Sequence, residues 1–190
     1  MKTKIFPLVV VLIGSVQVAT AQVDYSPRFL QLLQHAQMDF YEPVEARYKD
    51  IPVWKDVAQY QGYDFAIRSR KEALEIRYVI FPFDEKSPVF QAPGVECTRV
   101  TMHLASNDED ALISALGIGE EELEESYNAD WGKIFFFQPK KSFSQRKHCK
   151  MLALYAEGKG MAFIFFLFDE PSKELNNPFL TLRFQEDESH

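Results

Sequence analysis

The chain has 190 residues and carries 28 acidic against 21 basic side chains, for a formal net charge of −7 at pH 7. Such an excess of acid argues against nucleic-acid binding over a uniform basic surface, because that affinity depends on cations that neutralise phosphates. The length is that of one ordinary domain, large enough to bury a core without a metal.

The first predicted element is a secretory signal peptide over residues 1–21. A basic start precedes an apolar run over residues 5–18, and the Ala-Thr-Ala sequence at residues 19–21 provides an A-x-A cleavage site. The run has about 14 residues, whereas a membrane-spanning helix needs roughly 20, so it indicates a removed signal and not an anchor. The sequence therefore predicts an exported protein, periplasmic or secreted, with residues 22–190 as a single α+β domain and no transmembrane segment after cleavage.

A helix is predicted next, because Ser26-Pro27 provides an N-cap hydroxyl followed by proline at the first helical position. Apolar residues continue at helical spacing as far as Tyr41, and Pro43 ends the pattern. The sequence predicts one amphipathic helix over this whole stretch.

A β-hairpin follows, in which apolar and polar residues alternate along two segments. A turn centred on residues 70–71 pairs Phe65 with Ile76 and places Asp64 opposite Arg77. In this register the apolar residues share one face and an opposite-charge pair lies on the other face.

The middle of the chain is predicted to be helical. Residues 95–104 fit both a strand and a helix, and the helix is favoured. Asn107 is predicted to cap a second helix that ends at Gly117, with acidic residues in its first turn. Residues 120–125 begin a third, short helix.

The end of the chain is rich in strands. Residues 134–137 form one apolar run, a hairpin turns around residues 158–159, and residues 180–184 alternate as a last strand. The predicted hairpin register places Leu152 opposite Phe165. Both faces of this hairpin are apolar, and strands buried on two sides need cover on two sides, usually from helices. An antiparallel sheet with helices on both faces is therefore expected.

This order of elements resembles the PsbP/Mog1-like α/β/α sandwich over most of residues 60–184. The segments that carry the resemblance are residues 63–67, 74–78, 129–132, 163–169 and 180–184. The same segments are similar to uncharacterised exported proteins of the Bacteroidetes type. The resemblance implies a binding or accessory role and supplies no catalytic residues.

Two cysteines, Cys97 and Cys149, have two interpretations. In an oxidising compartment they could pair, and closing a loop of about 50 residues would stabilise the fold by roughly 4 kcal/mol. Alternatively they are separate buried thiols that behave as small apolar side chains.

One cluster of basic residues is the candidate binding site, because no acid interrupts it. It predicts contact with an anionic envelope component, such as a polysaccharide, or with an acidic protein partner. The alternative is a solubilising loop before an apolar strand. The cluster consists of Lys140, Lys141, Arg146, Lys147 and Lys150.

No sequence motif predicts a catalytic, metal or cofactor site. The four histidines are His35, His103, His148 and His190. A metal site that combines His148 with Cys149 is disfavoured, because adjacent residues of a strand point to opposite faces. The predicted function is an exported binding or accessory protein with no catalytic centre of its own. The alternatives are a small hydrolase, with acidic residues and a histidine brought together from distant segments, and a structural envelope component that self-associates through an apolar sheet edge.

Overall fold

A computed structural model describes residues 25–40, 48–52 and 62–187 of the chain. The predicted signal peptide and its cleavage site lie outside the described residues, as does His190. The helices are α1 (Pro27–His35), α2 (Pro93–Leu104) and α3 (Glu120–Glu122), the last continued by a π-helical turn, Leu123–Tyr127. The strands are β1 (Met38–Phe40), β2 (Tyr48–Asp50), β3 (Phe65–Ser69), β4 (Leu74–Pro82), β5 (Ser114–Gly117), β6 (Trp131–Phe137), β7 (His148–Ala156), β8 (Gly160–Phe168) and β9 (Leu182–Phe184).

The strands form two antiparallel sheets. Seven of them follow the order β2-β3-β4-β8-β7-β6-β5, and β1 pairs with β9 in a separate two-stranded sheet. The predicted α+β fold with an antiparallel sheet is confirmed. Within the described residues, no helix has both the length and the apolar character needed to cross a bilayer.

Two apolar clusters lie on opposite faces of the large sheet, because successive residues of the fully buried strand β8 alternate between them. In the α1-side cluster, Phe29 and Leu33 of α1 pack with strand residues such as Ile164. In the α2-side cluster, Val100 of α2 packs with Phe163 and its neighbours. The predicted burial of the second hairpin on both faces is confirmed, whereas complete helical cover of both faces stays a prediction.

Helix α1 begins as predicted but ends earlier. The Ser26 hydroxyl accepts a hydrogen bond from the Phe29 amide at 3.2 Å, which caps the first turn. The helix stops at His35, Gln37 adopts a positive φ of 49°, and the chain continues as β1. Extension to Tyr41 is therefore wrong, because residues 38–40 obtain their backbone partners from β9. Phe40 still packs against Phe29 of α1. Its apolar character therefore continues the pattern of the helix although its backbone belongs to β1.

The first hairpin exists, but its register differs from the predicted one by two residues. Phe65 pairs with Tyr78 and not with Ile76, because the loop has four residues, 70–73, where two were expected. Two amides in this loop donate hydrogen bonds to the Ser69 hydroxyl, at 3.1 and 3.2 Å. A shift of two preserves the alternation of faces, so the apolar residues still share one side.

The second hairpin is shifted by one residue, which changes the face assignments. Leu152 pairs with Ile164 and not with Phe165, because a three-residue loop, 157–159, connects β7 to β8. Gly158 provides the left-handed conformation in this loop, with φ of 72°. Leu152 and Phe165 therefore lie on opposite faces of the sheet, and the prediction that they face each other is wrong.

Among the central elements, two predictions are confirmed and one is wrong. Residues 95–104 lie in α2, and α3 starts at Glu120. The helix predicted after Asn107 is absent, since Asp108 begins a turn and residues 114–117 form β5, which pairs with β6. Hydrogen bonding to a neighbouring strand replaces the capped helix that the local pattern favoured.

The last predicted strand is shorter than expected. Leu180 belongs to a 3₁₀ turn, Pro178–Leu180, and its carbonyl accepts a 2.9 Å hydrogen bond from the Tyr78 hydroxyl. Strand β9 then starts at Leu182 and joins β1 outside the large sheet.

Candidate functional site: a cationic cleft around Arg77

A cleft of about 390 Å³ opens beside β3 and β4, on the α2 side of the large sheet. Four of its lining side chains are cationic and one is a carboxylate. The lining residues are Arg68, Glu75, Arg77, Lys141, Ser142, Phe143, Ser144, Gln145 and Arg146. Residues far apart in sequence thus form one positively charged concavity on a chain whose net charge is negative.

Arg77 lies at the buried end of this cleft and is held from several directions. Its Nε donates to Glu75 Oε1 and its Nη1 donates to the Phe143 carbonyl, both at 2.7 Å. Its guanidinium carbon lies 4.9 Å from the centroid of the Tyr63 ring and 4.8 Å from that of Phe143. Only 9% of the residue is exposed. These contacts hold the guanidinium in one orientation, and its Nη2 forms no hydrogen bond with any described residue.

Glu75 links Arg77 to Arg68. Its Oε2 accepts a 2.7 Å hydrogen bond from Arg68 Nη2, while its Oε1 accepts from Arg77. Burial raises the pKa of the Glu75 carboxyl, but the charge of Arg77 and the hydrogen bonds from both arginines outweigh it, so the pKa lies below its ordinary value. Glu75 is therefore ionised at neutral pH and compensates part of the buried positive charge.

The loop over residues 139–146 forms the outer wall of the cleft. The Lys140 amide donates to the Leu104 carbonyl at 2.8 Å, which attaches the loop to the end of α2. The buried Phe143 ring lies 5.3 Å from the Phe165 ring, so the loop also packs on the α2-side cluster. The wall is thus anchored at both its backbone and its central side chain.

Two of the five predicted binding residues, Lys141 and Arg146, line this cleft. Lys141 is exposed and forms no ion pair with any residue that the structure describes. Arg146 Nη1 donates to Asp169 Oδ2 at 2.7 Å, and this hydrogen bond lowers the pKa of the Asp169 carboxyl. Lys141 is therefore the more available of the two cations.

Lys140 and Lys147 make other contacts. Lys140 Nζ donates to the His103 carbonyl at 2.7 Å, and Lys147 Nζ lies 3.6 Å from Glu170 Oε1 in an exposed ion pair. Neither residue lines the cleft. Lys147 therefore belongs to the same predicted cluster but lies outside the cleft, which makes it a suitable control residue.

Lys150 lies on the opposite face of the sheet from the cleft. It pairs with Phe166 of the α1-side cluster, and its Nζ donates to the Leu175 carbonyl at 2.7 Å and to Asn176 Oδ1 at 3.0 Å. Alternation along β7 therefore places Lys150 on the face opposite the cleft, and the binding role of the five basic residues stays a prediction.

Arg68 and Arg77 were missed as site residues by the sequence interpretation. The sequence does show that both arginines occupy polar positions of the first hairpin. The polar face of this hairpin is, however, predicted to be an exposed charged surface. Arg77 was also expected opposite Asp64, which instead accepts a 2.9 Å hydrogen bond from the Ile80 amide. The loop over residues 139–146 buries this face locally, and no local pattern shows where that loop packs.

The two cysteines are free thiols, and both are buried in the α2-side cluster. The possible disulfide between Cys97 and Cys149 is therefore not formed, and the second interpretation applies. Burial raises the pKa of Cys97 to about 11 and raises that of Cys149 well above its ordinary value. Both are poor nucleophiles at neutral pH.

A second cavity, of about 480 Å³, lies on the other side of Tyr63 and is lined mainly by apolar side chains, including Phe81 and Phe163. Asp64 and Asp84 contribute carboxyl groups to it, but no described histidine lines either cavity. The described residues also contain no group of three or more histidine, cysteine or acidic side chains placed to hold a metal ion. The predicted hydrolase alternative gains no specific support from these positions.

Comparisons of the chain with protein-family models, with curated proteins and with solved structures found no match. The resemblance to the PsbP/Mog1-like sandwich and to Bacteroidetes-type exported proteins therefore stays a prediction.

Proposed function

We propose that this chain is an exported binding protein that holds the anionic groups of an envelope saccharide in the cleft around Arg77. The observation that carries the proposal is the buried guanidinium of Arg77, oriented by Glu75 and by the Phe143 carbonyl. A guanidinium presents paired donors in a plane that matches a carboxylate or phosphate. Because its orientation is already set, little conformational entropy is lost when an anion binds.

The charge of the cleft favours an anionic ligand. Four cations, Arg68, Arg77, Lys141 and Arg146, line the cleft together with one carboxylate, Glu75, which is shared by Arg68 and Arg77. Asp169, outside the lining, pairs with Arg146. The cleft therefore keeps an excess of positive charge inside a concave, partly dry surface, where the field is stronger than on an exposed face. This local excess contrasts with the net charge of −7 of the whole chain.

The size of the cleft favours a small group over a protein face. A volume of about 390 Å³ falls in the range of small-molecule sites, roughly 300–1,000 Å³. This volume is compatible with a single sugar ring. An acidic sugar residue combines such a ring with a carboxylate for Arg77.

Calorimetric titration with trigalacturonate tests the proposal. We expect saturable binding to the purified chain and roughly tenfold weaker binding after Lys141→Gln, which removes one charged hydrogen-bond donor. Lys147→Gln is the matched control, because Lys147 belongs to the same basic segment but lies outside the cleft. Equal losses of trigalacturonate affinity in the two variants would show a general attraction between the anion and the basic segment, and would contradict the proposal.

Two further probes separate the chemical classes. Inorganic phosphate that binds at least as tightly as trigalacturonate, with the same dependence on Lys141, would overturn the assignment to acidic sugars. A tetraglutamate peptide that binds more tightly than trigalacturonate would also overturn it, in favour of an acidic protein partner. Neutral trigalactose should not bind measurably, since it offers no charge to the cleft.

A further inference from the structure

Strand β5 forms one edge of the seven-stranded sheet. Residues Ser114–Gly117 pair with β6 on one side, and no described strand pairs with the other side. All four residues are exposed. The outer edge therefore presents backbone N–H and C=O groups in an extended conformation, ready for a further strand.

This edge lacks the usual protection against strand pairing. Residues 111–119 contain no charged residue and no proline. Three apolar side chains in or beside β5 are strongly exposed, Leu112 at 83%, Ile113 at 45% and Leu116 at 57%. Exposed edges in natural proteins are normally blunted by charge, proline or cover, so an uncharged apolar edge indicates a docking position.

Acidic residues border the edge at both ends. Residues 108–110 precede it and residues 120–122 follow it, and all six side chains are exposed acids. None of the six forms an ion pair with a described lysine or arginine. The edge thus combines a neutral apolar centre with negative charge on both sides.

A second copy of this chain does not fit that charge pattern. Two-fold symmetric, antiparallel pairing of β5 with itself, centred on Ala115, places Asp110 of each copy opposite Glu120 of the other. Both residues lie beyond the ends of β5, so the two-fold axis brings like charges together at each end of the paired strands, which is destabilising.

We propose that β5 docks an extended apolar segment of a partner protein that carries lysine or arginine at both ends. The partner adds an eighth strand, its backbone binds the edge, and its terminal cations lie near residues 108–110 and 120–122. Main-chain hydrogen bonds provide affinity in this mode, and the flanking charges provide selectivity. The proposal is independent of the cleft, because the cleft lies beside β3 and β4, near the opposite edge of the seven-stranded sheet from β5.

Fluorescence anisotropy with three synthetic peptides tests the proposal. The probe is Lys-Lys-Val-Thr-Val-Thr-Val-Lys-Lys, and the controls are the same core flanked by glutamates and a lysine-flanked core with alternate N-methylated amides. We expect at least tenfold tighter binding of the probe than of either control, together with slower hydrogen exchange of the β5 amides. Equal binding of the N-methylated peptide would show charge attraction without strand addition and would overturn the proposal.

A charge-swapped protein provides the second test. The variant Asp110→Lys, Glu120→Lys and Glu121→Lys changes exposed side chains only, so its fold should persist and can be checked by circular dichroism. We expect its preference to reverse in favour of the glutamate-flanked peptide. An unchanged preference would overturn the proposal, as would sedimentation showing that the wild-type chain forms a dimer that Leu116→Lys dissociates.

Discussion

Glu75 and Arg77 lie two positions apart on β4, and their side chains meet on one face of the sheet with 2.7 Å between Glu75 Oε1 and Arg77 Nε. Residues two apart on a strand share a face, so the sequence brings these charges together before any tertiary contact forms. The loop over residues 139–146 then covers the pair, so removing one partner would leave a buried charge without its counter-charge. Both side chains still line the cleft.

Replacing Glu75 with glutamine should reduce the free energy of unfolding by about 3 kcal/mol at neutral pH, because Arg77 keeps its burial but loses its counter-charge. Urea unfolding measures the change. Glu72→Gln is the matched control, since Glu72 is exposed in the adjacent loop, and it should change stability by less than about 0.5 kcal/mol.

The same variant should change the response to acid. The pKa of Glu75 is lower in the folded than in the unfolded chain, so its contribution is present above the ordinary pKa of glutamate and is lost as pH falls through the lowered value. The stability difference between wild type and Glu75→Gln should therefore shrink between about pH 5 and about pH 2. A difference that stays constant over this range would contradict the assigned ion pair.

The two thiols should be unreactive in the folded protein. Cys97 and Cys149 are buried, and burial raises the pKa of both, so very little thiolate forms at about pH 8. Titration with a thiol reagent should detect no fast-reacting group in native protein and two after unfolding without reductant. Detection of none after unfolding would mean that a disulfide had formed.

Two glycines of the second hairpin should differ sharply in their tolerance of alanine. Gly160 has φ of 153°, and a Cβ there would lie 2.5 Å from the Phe81 carbonyl oxygen, so Gly160→Ala should cost about 3 kcal/mol or more. Gly158 has φ of 72° but open space around it, so Gly158→Ala should cost about 1 kcal/mol. Thermal unfolding of both variants measures the two losses of stability. A larger loss for Gly158→Ala than for Gly160→Ala would contradict the close packing of Gly160, at the start of β8, against β4.

Cleavage of the predicted signal peptide can be tested by measuring the mass of the mature chain. Protein recovered from the envelope or medium of an expressing bacterium should begin at Gln22, because cleavage after Ala21 follows the small-residue rule. Intact-mass spectrometry identifies the new terminus. Recovery of the uncleaved chain from the cytoplasm would contradict export and weaken the choice of an envelope saccharide as ligand.

The sequence predicted the elements better than their pairing. Alternation identified the first hairpin, and apolar residues on both faces identified the second hairpin and the burial of β8, because side-chain pattern follows directly from strand geometry. Loop length determines register, and it depends on contacts such as the Ser69 hydroxyl to loop amides, which composition alone does not show. One extra residue in the loop at 157–159 was enough to place Leu152 and Phe165 on opposite faces.

The candidate site was predicted in part. Lys141 and Arg146 were found because they are close in sequence, whereas Arg77 belongs to a strand more than sixty positions earlier. Lys150 was included for the same reason, but it lies on the other face of the sheet, which closeness in sequence does not reveal. The cleft arises where the loop over residues 139–146 crosses β4, and only tertiary packing determines that crossing.

The most direct test of the account observes the arginine side chains during ligand addition. In a nitrogen-15 correlation spectrum of the Nε–Hε groups, titration with trigalacturonate should shift the Arg77 resonance saturably, with Arg68 and Arg146 following at the same midpoint. Arg99, which pairs with Glu96 on α2, should not move. An unmoved Arg77 resonance, with shifts confined to exposed cations outside the cleft, would contradict anion binding at this site.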